Sequence, residues 1–148
     1  IAPNQINETI AREVAACQSV ALHVRWYASP SKEQNEKNVT QKYYEQAMQK
    51  IEREIDSPHY FVFSDDIDAA VATLALPVHR ITPVEHNQGD EAAIYDFWLM
   101  RQCRHFITAN STFSWWAAWL GRTPGGLIIM PKDVPRMSGA LALHVGQG

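Results

Sequence analysis

The residues best suited to chemistry lie in Asn110-Ser-Thr-Phe-Ser114, which separates a short apolar run from an aromatic run. This pattern predicts that a strand ends here and a helix begins. A helix start presents unpaired backbone N–H groups at the positive end of the helix dipole, so it suits an anion. The hydroxyls of Ser111, Thr112 and Ser114 add donors without bulk. We interpret the stretch as a seat for a diphosphate; the alternative is that Ser111 or Thr112 only caps the helix.

A second polar pair, His23 and Arg25, ends the apolar run that begins at Ser19. Side chains two positions apart on a strand point to the same face. An arginine stays charged and can hold a phosphate with two parallel hydrogen bonds. A fixed cation also stabilises the charge that a departing diphosphate gains, so the pair indicates diphosphate binding. The alternative is a structural ion pair between Arg25 and Asp65 or Asp66.

Acidic residues follow a second apolar run, at Ser64-Asp-Asp-Ile-Asp68. A carboxylate at a strand end can accept hydrogen bonds from ribose hydroxyls or a base, which favours a nucleoside or structural role for Asp65. Asp66 and Asp68 could instead hold a divalent cation under a nucleotide diphosphate, since hard cations prefer carboxylate oxygens. A third reading is helix capping, which we favour for Asp68.

Three tryptophans, Trp115, Trp116 and Trp119, follow the proposed anion seat. Such rings could form a platform for a sugar, but at helical spacing they are more often buried. We therefore predict that most of them pack inside the protein and fix the turn before them. Phe113 lies in the turn itself, and we expect it to contact the nucleotide.

Composition excludes several classes of protein. The 148 residues are enough for one domain with a core, and the net charge of −3 without a basic block gives nucleic-acid binding no support. The sequence has no apolar run of membrane-spanning length. Cys17 and Cys103 are far apart in the sequence and predict reduced, buried thiols instead of a zinc site. Glycine-rich dinucleotide, P-loop and nucleophile-elbow motifs are missing from the sequence.

Hydrophobic spacing divides the chain into alternating helices and strands. Helices are predicted at 1–17, 39–55, 67–76, 90–103 and 112–120, and strands at 19–25, 60–63, 78–81, 105–109 and 127–130. A loop is predicted at 26–38, and residues after 131 show no clear period. The alternation predicts an α/β, Rossmann-like fold with a mainly parallel sheet flanked by helices. Ligands bind beyond the carboxyl ends of such strands, where all three polar clusters fall.

Longer strings resemble the alpha-1,2-fucosyltransferases of glycosyltransferase family 11. The strings are Phe63-Ser-Asp-Asp66, Leu99-Met100 with Cys103 and His105, and Ile107-Thr-Ala-Asn-Ser-Thr-Phe-Ser-Trp-Trp116. Tyr43-Tyr44 with Ala47-Met48 also fits the helix that those proteins carry before the Phe-Ser-Asp-Asp strand. The likeness runs from about residue 20 to residue 131.

The resemblance implies the donor-binding domain of a two-domain GT-B glycosyltransferase. Residues 1–148 would then form a single GDP-sugar-binding domain, a fragment of a longer protein whose amino-terminal acceptor domain is absent. Family members transfer fucose from GDP-fucose to a galactose hydroxyl in alpha-1,2 linkage, with inversion and without a required metal or other cofactor. The implied partners are therefore a nucleotide sugar, a glycan acceptor and the acceptor domain of the same protein. The resemblance leaves the compartment open between a bacterial cytoplasm or membrane surface and the Golgi lumen.

The family's motifs also imply roles for individual residues. Its His-x-Arg-Arg-Gly-Asp motif begins at His23, and Arg25 would bind the pyrophosphate and act in catalysis. The implied substrate-binding residues are His23, Arg25, Ser64, Asp65, Asp66, Asn110, Ser111, Thr112, Phe113 and Ser114.

The sequence departs from the family where it reads Trp26-Tyr27-Ala28 in place of Arg-Gly-Asp. The second cation and the acidic residue of the motif are lost. This departure motivates one alternative, a non-catalytic module that binds a nucleotide sugar. The acidic pair Asp66 and Asp68 gives another alternative, a metal-dependent transferase.

Overall fold

The computed structural model describes residues 4–25, 41–74, 78–87, 89–131 and 140–144. In these ranges the helices are α1 (Gln5–Ala15), α2 (Gln41–Glu54), α3 (Ile67–Leu74), α4 (Ala93–Met100) and α5 (Thr112–Gly121). The strands are β1 (Gln18–Val24), β2 (Pro58–Ser64), β3 (Ile81–Pro83), β4 (His105–Ile107), β5 (Leu127–Pro131) and β6 (Ala140–His144). The predicted loop at 26–38, which includes Trp26-Tyr27-Ala28, lies outside the described residues. No helix within the described ranges combines the length and apolarity needed to cross a membrane.

The strands form one sheet in the order β3-β2-β1-β4-β5-β6. Neighbours from β3 to β5 run parallel, and β6 runs antiparallel to β5 at the edge. The chain moves outward from β1 to β3 and then returns to place β4 on the other side of β1. The predicted α/β, Rossmann-like sheet is confirmed, and its direction of progression switches between β1 and β4, where such sheets bind ligands.

Helices cover the two faces of the sheet, and β1 shows how they divide. Val20, Leu22 and Val24 pack with α2 and α3 on one face. Ala21 points to the other face, into a core shared with α1, α4 and α5. Because successive side chains of a strand alternate between faces, His23 follows Ala21 onto the α4 and α5 side.

Two buried tyrosines of α2 hold the helix against the ends of the central strands. The Tyr43 hydroxyl lies 2.6 Å from the carbonyl oxygen of Thr108 and 3.1 Å from that of Ile129. The Tyr44 hydroxyl donates to the carbonyl oxygen of His23 at 3.0 Å. These bonds reach main-chain carbonyls of β1, of β5 and of the residue that follows β4, and buried polar groups of this kind require such partners.

The structure corrects several predicted elements. The strand expected at 78–81 is a single 3-10 turn, and β3 follows it at Ile81–Pro83. The helix expected from residue 90 starts as another 3-10 turn and ends at Met100. The tail predicted to lack a period contains β6, whose alternating Ala140-Leu-Ala-Leu sequence pairs with the edge of β5.

Several large apolar side chains of the helices are exposed. Ile6 of α1 is 54% exposed, and Ile94 of α4 is 48% exposed. The prediction that most of the tryptophans are buried is wrong, since Trp115, Trp116 and Trp119 are 39%, 49% and 44% exposed. On its sheet side α5 instead buries small residues, among them Ala117 and Ala118. Small side chains let the helix lie close to its neighbours, and at Gly121 an added Cβ would overlap the carbonyl of Arg101.

The tyrosine anchors give a first prediction. Tyr43→Phe removes the hydroxyl and leaves the Thr108 carbonyl without this donor, whereas the Ile129 carbonyl still accepts the N–H of Thr108. We expect the free energy of unfolding in urea to fall by about 1–3 kcal/mol, the usual cost of an unsatisfied buried polar group.

Tyr95→Phe in α4 is the matched control, because Tyr95 is only half-buried, whereas Tyr43 is fully buried. It should change the free energy of unfolding by only a few tenths of a kcal/mol, as is usual for a substitution away from such contacts. Equal losses for the two variants would contradict the anchoring role of Tyr43.

Candidate functional site

Hydroxyl groups shape the turn between β4 and α5. Ser111 is the N-cap of α5: its Oγ accepts the N–H of Ser114 at 3.3 Å, and its carbonyl accepts the N–H of Trp115 at 3.2 Å. The alternative interpretation of this turn, that Ser111 caps the helix, is therefore confirmed. Thr112 and Phe113 are the first residues of the helix, and their N–H groups have no carbonyl within the helix to bond to.

Ser114 lies behind this turn and is fully buried. Its Oγ accepts the N–H of Ala109 at 3.2 Å, which ties the end of the β4 segment to the start of α5. Ser114 therefore shapes the start of α5 from inside the protein and is not among the residues that line the cavity in front of it.

A cavity of about 630 Å³ opens at the carboxyl edge of the sheet, beside the switch between β1 and β4. Eight of the ten predicted site residues line it: His23, Arg25, Ser64, Asp65, Asn110, Ser111, Thr112 and Phe113. The ends of three strands thus converge on one cavity, as the topology predicts. Arg25 and residues of the first turn of α5 line this same cavity.

Asp66 is placed elsewhere. Its Oδ1 accepts the N–H of Ala69 at 3.1 Å, so it caps α3, and the cap predicted at Asp68 is displaced to Asp66. It borders a separate depression that also includes Asp68 and Glu85. Among the described residues, no group of three or more His, Cys, Asp or Glu side chains is arranged to hold a metal ion.

Arg25 stands at the rim of the cavity. Its guanidinium lies 3.6 Å from a carboxylate oxygen of Asp65, and the two side chains are 45% and 33% exposed. The structural ion pair considered above is thus present. Exposed pairs contribute little to stability, because water screens them. A phosphate, which offers two oxygens to one guanidinium, can therefore compete with Asp65 for Arg25.

His23 forms the inner wall and is 7% exposed. Burial, and then the charge of Arg25, lower the pKa of His23 to about 3, so the ring is neutral near pH 7. Its Nδ1 is buried and has no hydrogen-bond partner among the described residues. Phe113 packs between the rings of His23 and Phe97, at 5.7 and 5.4 Å between centroids. A polar group bound in the cavity would satisfy the buried nitrogen.

Asp96 and Asn87 also line the cavity, and the sequence analysis missed both. Burial raises the pKa of Asp96 to about 6, against the effect of a hydrogen bond from Asn87 Nδ2 at 3.0 Å. Perturbed carboxylates of this kind are typical of functional sites. A usable signal was present in the sequence, because Asp96 is the one charged residue in the apolar stretch 92–100.

The fold and the cavity define a Rossmann-like α/β domain with a polar site at its topological switch point. The sequence model described as glycosyl transferase family 11 matches residues 4–141. The chain therefore belongs to this family, as its motifs indicated.

Two curated relatives come from Escherichia coli. The chain is 32% identical to the O-antigen biosynthesis glycosyltransferase WbnK over 117 residues, which are 77% of this chain and 38% of that protein. It is 34% identical to an alpha-1,2-colitosyltransferase over 92 residues, which are 62% of this chain and 31% of the relative. The chain thus spans between about a third and two fifths of the length of these relatives.

Solved structures with the same fold include the fucosyltransferase NodZ from Bradyrhizobium. One match has a TM-score of 0.53 at 17% identity and covers 94% of this chain and 46% of NodZ. Another, the NodZ alpha-1,6-fucosyltransferase soaked with GDP-fucose, has a TM-score of 0.55 at 16% identity and covers 95% and 49%. At this identity the likeness establishes the fold.

The buried carboxylate makes a prediction about stability. Because the pKa of Asp96 is raised from 3.8 to about 6 in the folded chain, the folded state binds this proton more tightly than the unfolded state. Protonation therefore favours the folded state as pH falls from about 6 to about 4, whereas above pH 6 the buried charge is unfavourable. We expect Asp96→Asn to raise the free energy of unfolding at pH 8, with a gain that shrinks toward pH 4 in urea titrations.

Asp68→Asn, which changes an exposed carboxylate on α3, is the control and should show no such gain at pH 8. A lower free energy of unfolding for Asp96→Asn than for the wild type at pH 8 would contradict the assigned cost of the Asp96 charge.

Proposed function

We propose that the full-length protein is a glycosyltransferase whose donor is GDP-fucose and whose product is an alpha-1,2 linkage to a galactose-type hydroxyl, formed with inversion. The described cavity is the donor site in this proposal. An amino-terminal domain of the same protein binds the glycan acceptor. Membership of family 11 and the fold shared with NodZ support the reaction class.

One observation carries the proposal: Arg25 and the start of α5 line the same cavity beyond the carboxyl ends of the strands. The guanidinium supplies a full charge, and the N–H groups of Thr112 and Phe113 supply aligned dipoles. A diphosphate placed between them meets donors from two sides. The hydroxyls of Ser111 and Thr112 lie at the same helix start and can bond to further phosphate oxygens.

The same groups serve the transfer step. The acceptor hydroxyl attacks the anomeric carbon as the bond from that carbon to the phosphate oxygen breaks, and GDP leaves with the bonding electrons. Negative charge on the diphosphate therefore grows in the transition state. Arg25 and the first turn of α5 stabilise that charge more strongly than they stabilise the bound donor, which is the condition for acceleration.

We assign the guanine base to the part of the cavity that Asp96 and His23 line. Guanine presents two adjacent N–H groups on one edge, and a carboxylate accepts both when it is ionised. Asp96 supplies this carboxylate and is ionised above pH 6, while the neutral His23 offers its buried Nδ1 to a donor of the nucleotide. The wall formed by Phe113 gives the nucleotide an aromatic contact.

A colitosyl donor is the second candidate. The relative that is 34% identical is an alpha-1,2-colitosyltransferase. The groups proposed to hold the diphosphate and the base would serve either sugar, so this candidate changes only the sugar.

Arg25→Ala tests the catalytic assignment. We expect transfer from GDP-fucose by the full-length protein to fall by about 10²-fold or more, since a charge-stabilising donor is lost from the transition state. The measurement is kcat/KM with a galactose-terminated acceptor. Arg25→Lys keeps the charge but not the paired hydrogen bonds and should retain intermediate activity.

Arg12→Ala is the matched control, because Arg12 lies on the exposed side of α1, where it donates to Thr9. Its kcat/KM should equal that of the wild type. Unchanged turnover in Arg25→Ala would remove Arg25 from the reaction.

Calorimetric titration tests donor and metal together. We expect GDP-fucose to bind the full-length protein more tightly than UDP-galactose, and at the same affinity with magnesium as with EDTA. GDP-mannose, with the same nucleotide and another sugar, and a colitosyl donor measure the selectivity for the sugar. Loss of binding in EDTA would favour the metal-dependent alternative at Asp66 and Asp68, and donor binding without any transfer would favour the non-catalytic module.

A further inference from the structure

Asn7 is a buried polar residue that the proposed reaction does not use. It belongs to α1, is 0% exposed, and occupies the face of the helix that carries Ile10 and Val14. An amide in such a position lowers stability unless each of its polar atoms is bonded. Its hydrogen bonds therefore indicate what the residue does.

The partner of Asn7 is Asn87, in the loop before α4. Asn7 Nδ2 donates to Asn87 Oδ1 at 3.2 Å, and Asn87 Nδ2 donates to Asn7 Oδ1 at 2.8 Å. Asn7 Oδ1 also lies 2.6 Å from His86 Nε2, which must carry a proton because the amide oxygen only accepts. The two amides thus form a closed pair with His86 at one end.

Asn87 connects this pair to the cavity. Its Nδ2 also donates to Asp96 Oδ1 at 3.0 Å, and both Asn87 and Asp96 line the cavity. An ionised carboxylate only accepts, so Asn87 must present its NH2 group to Asp96. Asn7 favours this orientation, because turning the Asn87 amide over would place two oxygens and two NH2 groups against each other.

We propose that Asn7 is a positioning residue for donor recognition: it fixes the amide of Asn87, and Asn87 in turn aims the carboxylate of Asp96 at the nucleotide base. Asn7 itself does not line the cavity. This inference rests on the proposed function, since it assigns the selectivity for guanine to a pair of amides between α1 and the loop before α4.

The test is Asn7→Leu in the full-length protein, which keeps the approximate volume and removes both polar atoms. Inosine diphosphate lacks the 2-amino group of GDP and so offers one N–H in place of two. We expect the wild type to bind GDP more tightly than inosine diphosphate, and the ratio of the two affinities to fall by about tenfold in the variant, the factor for one hydrogen bond. Asn7→Ser, too short to reach Asn87, should behave in the same way and replaces Asn7→Leu if that variant does not fold.

Val14→Ala is the control, on the same buried face of α1. It should lower stability and leave the ratio of affinities unchanged. A folded Asn7 variant with the wild-type ratio would overturn the proposal.

A second readout needs no ligand. Because the hydrogen bond from Asn87 lowers the pKa of Asp96, its loss should raise that pKa in carboxyl-carbon NMR titrations of the Asn7 variants. His23, Arg25 and Asp65, the other titratable groups lining the cavity, and the adjacent His86 are the same in all variants. An unchanged pKa would overturn the link from Asn7 to Asp96. A wild type that does not distinguish the two nucleotides would instead contradict the proposed guanine site, and the pKa would still decide the role of Asn7.

Discussion

The site depends on how the chain turns from β4 into α5. Ser114 Oγ accepts the N–H of Ala109, and Ser111 Oγ accepts the N–H of Ser114. These two hydroxyls satisfy the main-chain N–H groups of Ala109 and Ser114, as buried donors require. The start of α5 is thereby fixed at the carboxyl end of β4, with its dipole directed toward the cavity. Helix capping, which is observed, and the anion seat that we propose were posed as alternatives on the sequence, but one arrangement of the turn is compatible with both.

Burial decides which groups of the cavity carry charge. His23 is packed against Phe113 and is neutral, whereas Arg25 reaches the rim and keeps its charge beside Asp65. Had His23 been exposed, it would approach its ordinary pKa of about 6.5 and add a second partial cation near neutral pH. In the observed arrangement the positive charge lies at the rim, on Arg25, and at the start of α5. The rest of the cavity wall contains neutral donors and acceptors and the carboxylate of Asp96.

Much of the fold follows from the sequence, because buried parallel strands are apolar throughout and amphipathic helices carry a clear period. The stretches 18–24 and 41–54 are examples. Convergence of the strand ends also follows from topology alone, which is why His23, Arg25 and Thr112 could be placed together before any coordinates. Short elements were less predictable: β3 has three residues, and the stretch Val78–Arg80 before it, predicted as part of a strand, forms a 3-10 turn.

One physical reason explains why the sequence analysis missed several residues of the site. Asp96 and Asn87 reach the cavity through the packing of α4 against the sheet, a long-range relation that no local spacing encodes. Asn7 is a third such residue, because it is buried at 0% exposure and its side-chain partners Asn87 and His86 lie far away in the sequence.

The prediction for the tryptophans of α5 failed for a different reason. It relied on the usual burial of tryptophan and gave too little weight to the periodicity of the helix. Residues 114, 117 and 118 already form the face that packs on the sheet, so the periodicity of the helix directs Trp115, Trp116 and Trp119 outward.

The exposed tryptophan rings pack on one another: Trp115 stacks on Trp119 at 5.8 Å between centroids and meets Trp116 edge to face at 5.0 Å. Arg122 covers the Trp119 ring at 4.0 Å. A sugar platform needs an open ring face, and these contacts occupy several of the faces such a platform would use. The aromatic surface that the sequence offered as an alternative site for sugar is therefore poorly suited to it, and the cavity at the start of α5 remains the site that we propose for the nucleotide sugar.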